Sequence, residues 1–241
     1  MITIRTVAGM QRRSRALRCR GRIGLVPTMG YLHEGHLELV RVCRRHADFV
    51  VVSLFVNPTQ FGPNEDYERY PRDLARDRRL LREVGVDVLF CPTVRDVYPA
   101  GYATFVEVER LTQGLCGRFR PGHFRGVTTI VAKLFNIVQP DVAVFGQKDA
   151  QQAFVIRRMV RDLGYNLRLV IVPTVREMDG LAMSSRNTYL TPGQRAEAPV
   201  LYQSLLLARK MVRGGVEQAG RIKAAMRRLI ERRSSGQIDY I

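Results

Sequence analysis

Two histidines, His33 and His36, stand three residues apart at the end of a glycine-containing loop that follows a short apolar segment. A helical pattern begins directly after the loop. Backbone N–H groups at a helix start lack intrahelical partners and carry positive partial charge, so they suit an anionic ligand. Because the histidine rings add donors there, the pattern predicts phosphate binding. A zinc site is the alternative, but the protease signature places its histidines four residues apart on one helical face, and Gly35 interrupts that geometry.

Two later segments also place polar side chains where binding chemistry is possible. In one, an apolar run leads through an Asn-Pro turn to Gln60, an amide suited to a small polar substrate; an ordinary turn is the alternative. In the other, Ser184, Ser185 and Arg186 offer two hydroxyls and a guanidinium, which together suit a phosphate clamp. A solvent-exposed loop between domains is the alternative for that segment.

The segment 146–152 adds a cation and an acid between a predicted strand and a predicted helix. Lys148 is suited to neutralising phosphate charge, and Asp149 is expected to cap the helix. Gln152 is expected to point back along that helix by one turn. A capped helix with a surface lysine is the alternative. Next to the histidine loop, however, the lysine favours a nucleotide site.

Strands and helices alternate along the first three quarters of the chain, and this order must position the segments above. The predicted strands are 22–26, 49–56, 86–90, 141–145 and 167–172, and the predicted helices are 35–46, 71–84, 124–138 and 150–163. Such alternation predicts right-handed βαβ units and a Rossmann-like parallel sheet. Ligands of such sheets bind beyond the carboxyl ends of the strands. The candidate site loops are therefore 27–36, 57–61, 146–152 and 173–186.

The pattern changes after Arg186. Residues 192–212 and 216–233 are predicted to form two helices, and residues 237–241 alternate like the start of a strand. A lone strand does not form a stable sheet. We therefore expect a Rossmann-like domain over residues 1–175 and a small, incomplete α+β domain over residues 176–241.

Composition limits the class of protein. With 241 residues, 46% of them hydrophobic, the chain can bury a sizeable core. No apolar run approaches the roughly 20 residues that span a bilayer, and the N-terminus lacks the pattern of a signal peptide, so we expect a cytoplasmic protein that does not enter membranes. The four cysteines show no CxxC spacing, which argues against a zinc site or a disulfide framework.

The formal net charge of +17 raises the possibility of nucleic-acid binding. The arginines are scattered, however, and do not alternate with aromatic residues as a stacking platform would. A general bias toward arginine, combined with anionic small-molecule substrates, explains the charge as well. We therefore expect no nucleic-acid partner and keep a basic RNA-binding module as the non-enzymatic alternative.

The candidate segments together resemble the pantoate–β-alanine ligase (pantothenate synthetase) family. The matching stretches cover about residues 20–205 and are VPTMGYLHEGH, SLFVNPTQFGPNEDYERYPR, RPGHFRGVTTIVAKLFNIVQP, FGQKDAQQ and DGLAMSSRNTYL. The resemblance implies a two-step ligation in which pantoate and ATP give pantoyl adenylate and pyrophosphate, and β-alanine then gives pantothenate and AMP. It also implies Mg²⁺, whose ligands stay unassigned, and a homodimer. A nucleotidylyltransferase with a different acceptor is the enzymatic alternative.

The resemblance also implies roles for individual residues. His36 would be the catalytic donor, with His33 and Lys148 beside it on phosphate. Gln60 would hold pantoate and later β-alanine, and Gln152 would be a second pantoate contact. The residues implied in ATP binding are Met29, Gly30, Tyr31, Leu32, His33, Glu34, Gly35, His36, Gly146, Gln147, Lys148, Asp149, Val175, Met183, Ser184, Ser185 and Arg186.

Two departures from the family pattern accompany the resemblance. The family usually has an acid where Gln147 stands, and we expect a backbone contact there to limit the effect. The family also continues beyond the position of Ile241 into a domain that covers the active site. We therefore expect a longer C-terminal segment to increase activity, by improving closure and the exclusion of water.

Overall fold

Six parallel strands form one sheet in the computed structural model, which describes residues 1–241. The strands are β1 (Ile2–Ile4), β2 (Ile23–Thr28), β3 (Phe49–Leu54), β4 (Val88–Phe90), β5 (Val142–Gly146) and β6 (Arg168–Val172). Their order in the sheet is β1-β4-β3-β2-β5-β6. Every neighbouring pair is parallel. The predicted parallel α/β sheet is confirmed.

The direction in which the chain adds strands reverses at the centre of this sheet. From β2 the chain adds β3 and β4 on one side, and it then returns to place β5 and β6 on the other. Leu25 of β2 therefore pairs with Val51 on one side and Ala143 on the other. The reversal leaves a crevice beyond the carboxyl ends of β2 and β5, where such sheets bind their ligands.

Helices cover both faces of the sheet. The helices are α1 (Val7–Arg18), α2 (Glu34–Arg44), α3 (Leu74–Glu83), α4 (Val94–Val97), α5 (Cys116–Phe119), α6 (His123–Val138), α7 (Ala150–Asp162), α8 (Pro192–Glu197), α9 (Val200–Arg213) and α10 (Ala219–Arg233). One core cluster joins α1, α6 and α7 to the sheet, and a second joins α2 and α3 to it. The strands between these layers are apolar on both faces because neither face meets water. No helix combines the length and the apolar composition needed to cross a bilayer.

The chain divides into two compact units, Met1–Thr174 and Val175–Ile241. The second unit contains α8, α9, α10 and an isolated antiparallel bridge between Arg176 and Ala182. Arg195 of α8 forms ion pairs with Glu177 and Asp179. These pairs tie α8 to the turn that the bridge closes.

The C-terminal predictions need two corrections. The single helix predicted over residues 192–212 is two helices, because Pro199 has no N–H to donate and its ring clashes with the preceding turn. Residues 237–241 form no strand, because no other strand of the second unit offers a partner. The β part of the expected α+β unit is limited to the bridge at Arg176.

Two N-terminal elements were not predicted. Strand β1 has three residues, and its pairing with β4 is a long-range contact that no local pattern signals. Helix α1 is rich in arginine, and only Met10, Ser14 and Leu17 are buried. That spacing is helical, but three positions give a weak periodic signal.

Candidate active site

The loop between β2 and α2 brings the two histidines to the centre of the sheet's carboxyl edge. Gly30 and Tyr31 both have positive φ, at 88° and 50°, which turns the chain sharply after Thr28. The N–H groups of Tyr31 and Leu32 donate to the carboxylate of Asp77, each at 2.8 Å. These two amides, which precede α2, therefore have an acceptor within the protein; the prediction that the amides at the start of α2 bind an anion stays a prediction.

The histidines form a close pair. Their ring centroids lie 4.0 Å apart, and the backbone N–H of His33 donates to Nδ1 of His36 at 3.3 Å. An accepting Nδ1 carries no proton, so the neutral ring of His36 carries its proton on Nε2. Nδ1 of His33 is buried and has no hydrogen-bond partner.

Burial keeps both rings uncharged. Desolvation, followed by the positive charges of Lys148 and Arg76, lowers the pKa of His33 to about 4. Desolvation, followed by the influence of His33 and Lys148, lowers the pKa of His36 to about 3. At neutral pH, His36 is therefore a hydrogen-bond donor through Nε2 rather than an acid.

The loop after β5 faces this pair across the crevice. Residues Gln147–Asp149 form a single 3₁₀ turn, and the ammonium of Lys148 lies 3.3 Å from a carboxylate oxygen of Asp149. Asp149 precedes α7, but its side chain makes no capping bond, so the predicted cap is wrong. The side chain of Gln147 is exposed.

Gln60 lies at the end of a second 3₁₀ turn, Pro58–Gln60, after β3. Its Oε1 accepts from Nδ2 of Asn57 at 3.1 Å, and its amide nitrogen contacts the sulfur of Met29 at 3.0 Å. Asn57 is almost fully buried and also donates to the carbonyl of Gly126 on α6. This network fixes the amide of Gln60 beside the histidine loop.

Gln152 lies in the first turn of α7 and is half-buried. The side chain of its neighbour Gln151 is used structurally, since it bonds the carbonyls of Leu111 and Gly114 and the N–H of Cys116. The predicted direction of the Gln152 side chain stays a prediction.

The remaining predicted site residues belong to the second unit. The N–H of Met183 donates to the carbonyl of Val175 at 3.0 Å. The hydroxyl of Ser184 accepts from the N–H of Arg186 at 3.2 Å, and Ser185 is buried. The turn thus brings these five residues together within their own unit.

Comparison with known proteins identifies the family of the chain and supports its fold. The family model described as pantoate-beta-alanine ligase matches residues 2–241. The chain belongs to this family. The predicted resemblance is confirmed.

Individual ligases and pantothenate synthetases resemble the chain over 95–100% of its length. The pantothenate synthetase of Moorella thermoacetica is 57% identical over 242 residues, covering 100% of this chain and 86% of that protein. The crystal structure of pantothenate synthetase from Thermus thermophilus is 54% identical, with a TM-score of 0.94 and the same two coverages. The pantoate-beta-alanine ligase of Francisella tularensis, complexed with beta-gamma ATP and beta-alanine, is 36% identical and covers 95% of this chain and 86% of its own, with a TM-score of 0.83.

Three residues at the site of this ligase were not assigned from the sequence. Asn57 holds Gln60, as described above. A ring nitrogen of His123 lies 2.8 Å from the carbonyl oxygen of Gln60, and Arg120 bonds both the other ring nitrogen of His123 and the carboxylate of Glu65. The stretch RPGHFRGV contains Arg120 and His123. The position of His123, two residues after Pro121, was the feature of the sequence that could have marked it as a candidate site residue.

Proposed function

We propose that this protein joins pantoate to β-alanine in an ATP-dependent reaction that passes through a pantoyl adenylate. The ligation is the activity named for the family and its close relatives. The observation that supports the adenylate route is the neutral histidine pair opposite Lys148. Such a pair offers donors without placing two more charges in the crevice.

The first step must bring the carboxylate of pantoate against the negatively charged triphosphate of ATP. A pantoate oxygen attacks the α-phosphorus of ATP, the new O–P bond forms, and the bond to the bridging oxygen of the β-phosphate breaks. Pyrophosphate leaves with that electron pair. Nε2 of His36 would donate to the phosphate oxygen on which charge develops, and Lys148 would offset the repulsion.

The second step exchanges the leaving group. The amine of β-alanine attacks the acyl carbon of the adenylate, a C–N bond forms, and AMP leaves with the oxygen that joined it. The amine proton passes to solvent. Since His36 is neutral at neutral pH, its part in this step would again be hydrogen bonding to phosphate.

The nucleotide would be bound by the loops on either side of the crevice. We assign ATP binding to Met29 through His36, to Gly146 through Asp149, and to Val175, Met183, Ser184, Ser185 and Arg186 of the second unit. Because Asp77 accepts from the amides of Tyr31 and Leu32, the amides of Glu34 and Gly35 at the start of α2 would be the phosphate donors.

Pantoate would bind through the amides of Gln60 and Gln152, and β-alanine would use Gln60 afterwards. Asn57 supports this role because it fixes Oε1 of Gln60. The ring of His123 also supports this role, because it contacts the backbone carbonyl of Gln60 and so holds the main chain of that residue.

Mg²⁺ would accompany the triphosphate. No group of three His, Cys, Asp or Glu side chains in the chain is arranged to hold a metal ion. Mg²⁺ commonly keeps several waters and binds through substrate phosphates and one or two carboxylates. The exposed carboxylate of Asp149 fits such a partial site, and the ion would supply charge neutralisation.

We also propose that the ligase is a cytoplasmic homodimer. Six large apolar side chains of the first unit are exposed: Phe105, Leu111, Leu115, Phe119, Phe154 and Leu163. Leu111 and Leu163 line one groove of about 500 Å³, between residues 106–111 and the end of α7, together with charged side chains of both signs. Exposed apolar side chains beside such charges are typical of an interface, and a second copy is the proposed occupant.

Exchange of labelled pyrophosphate into ATP tests the function. Exchange that requires pantoate, followed by AMP release that requires β-alanine, is the expected result. Exchange with another acid but not with pantoate would indicate a different acceptor. Tight RNA retention on filters with a steep salt dependence, without exchange, would favour a nucleic-acid module.

A further inference from the structure

Asp77 of α3 holds the backbone that leads into the histidine pair. It is 1% exposed, and both of its carboxylate oxygens are used. Oδ2 accepts from the N–H of Tyr31 and Oδ1 accepts from the N–H of Leu32. Both bonds can form together only in one conformation of the loop, so the buried carboxylate stabilises that conformation.

Arg76 completes the contact from the same turn of α3. Its Nη1 donates to the carbonyl of Leu32 at 2.8 Å, and its guanidinium lies 5.3 Å from the ring centroid of Tyr31. Helix α3 thus satisfies both backbone groups of Leu32 and the amide of Tyr31. These three bonds link segments that are more than 40 residues apart in the chain.

The conformation held in this way is one that the chain does not adopt readily. Tyr31 has a φ of 50°, in the left-handed region that side chains with a Cβ disfavour. Consecutive amides in such a turn point toward one side and form a concavity for an anion. Here the anion is the carboxylate of Asp77, so the concavity is filled by the protein itself.

This loop conformation determines the geometry of the histidines. Leu32 directly precedes His33, whose N–H donates to Nδ1 of His36. A rotation of the peptide at Leu32 or His33 would move that N–H and remove the bond that keeps the proton of His36 on Nε2. The path from α3 to the donor atom therefore runs from the carboxylate of Asp77 through the backbone of Tyr31–His33 to the ring of His36.

We propose that Asp77 is a positioning residue: its carboxylate clamps the Tyr31–Leu32 backbone, which fixes the tautomer and orientation of His36. The inference rests on the proposed function only where it concerns turnover. Its structural part, the effect on His36, is measurable in the free protein.

The test compares Asp77→Asn with a matched change on the same helix. In Asp77→Asn, one oxygen becomes an NH₂ group that faces an N–H donor, so one of the two bonds is replaced by a donor–donor contact at nearly constant volume and the clamp is broken. Asp73→Ala removes the N-cap bond of α3 to the N–H of Arg76 and leaves both loop bonds in place. It controls for general loosening of the helix.

Two readouts separate positioning from stability. In Asp77→Asn, we expect kcat for pyrophosphate exchange to fall by up to about 10²-fold, with KM for ATP and pantoate changed much less. We expect the ¹⁵N resonances of His36 to shift away from the Nε2-protonated pattern. Asp73→Ala should lower the melting temperature but leave both the kcat and the ¹⁵N pattern near those of the parent.

The outcomes are distinguishable. Parent-like kcat and ¹⁵N resonances in Asp77→Asn would overturn the inference, and so would equal effects in the two variants. An altered ¹⁵N pattern in a protein whose parent shows no pantoate-dependent exchange would support the clamp and reject the proposed function. If Asp77→Asn does not fold, Arg76→Met removes the bond to Leu32 and the guanidinium beside Tyr31 but leaves both Asp77 bonds in place; a smaller change in the same two readouts supports the clamp, and no change overturns it.

Discussion

At the scale of single residues, burial decides what the histidines can do. An exposed imidazole is about half protonated near pH 6.5, whereas desolvation lowers the pKa values of His33 and His36 to about 4 and about 3. The backbone bond to Nδ1 then assigns the proton of His36 to Nε2. The site therefore presents a fixed, uncharged donor, which suits chemistry on an anion.

Replacement of His36 tests this role directly. We expect His36→Ala to reduce pyrophosphate exchange by about 10²-fold, as for loss of a transition-state donor, while the far-ultraviolet circular dichroism stays unchanged. His46→Ala, a change beyond the end of α2 and outside the site, is the matched control. Parent-like exchange by His36→Ala would show that the donor is assigned wrongly.

The low pKa values also predict how stability depends on pH. Above about pH 6.5 both histidines are neutral in the folded and unfolded chain, so they add no pH dependence. Below about pH 6.5, both histidines of the unfolded chain become protonated. In the folded chain, His33 becomes protonated only near pH 4 and His36 only near pH 3. The free energy of unfolding should therefore fall as the pH drops through this window.

Urea denaturation at several pH values measures that effect. The double variant His33→Asn/His36→Asn keeps polar side chains but cannot take up these protons, so its stability should decline less steeply with acidity than that of the parent. Identical slopes for the two proteins would contradict the burial of neutral histidines.

At the scale of elements, the site depends on close packing between α6 and the 3₁₀ turn that carries Gln60. A Cβ at Gly126 would lie 2.2 Å from the carbonyl oxygen of Thr59. Since Gly126 also accepts the hydrogen bond of Asn57, this contact sets the position of the whole amide network. A glycine is needed there for space rather than for backbone conformation.

Gly126→Ala should push the turn away from α6. We expect the free energy of unfolding to fall by about 1–3 kcal/mol, as in overpacked cores, and KM for pantoate to rise more than KM for ATP. Gly114→Ala is the control, because no atom lies within 4 Å of the Cβ it would add. Equal KM values for pantoate in the two variants would argue against a role for this turn in pantoate binding.

At the scale of the whole molecule, the exposed apolar side chains of the first unit are the feature that a single chain does not explain. Among them, Phe154 and Leu163 are 59% and 55% exposed. The net charge of +17 would oppose close association through long-range repulsion, so an interface would need apolar area to offset it.

The double variant Phe154→Glu/Leu163→Glu tests the proposed homodimer. It should sediment as a monomer at concentrations where the parent is a dimer, because each copy would bury two carboxylates without partners. Met178→Glu, a change at a fully exposed side chain of the second unit, should leave the parent's state unchanged. A monomeric parent would reject the homodimer itself.

The sequence was sufficient for the features that depend on local periodicity. Apolar runs of five to eight residues predicted the central strands, and their alternation with helices predicted a parallel sheet, which is confirmed. The family could be predicted for a related reason. Most of its motifs include loops after strand ends, where the backbone geometry and the chemistry both require particular residues.

Only the tertiary structure showed how these segments are held in place. Asp77 and His123 contact loops that lie far away in the chain, so no spacing around them could have identified their partners. Asn57 is close to Gln60 in the chain, but its second partner, the carbonyl of Gly126, is distant. The pairing of β1 with β4 likewise depends on what lies nearby in space, whereas the break at Pro199 follows from local chemistry that the sequence already contained. The His33 and His36 pattern indicated an anion site, but the neutral state and tautomer follow from burial and one backbone bond. Those are properties of the folded environment, because desolvation and hydrogen-bond geometry exist only once distant segments have packed together.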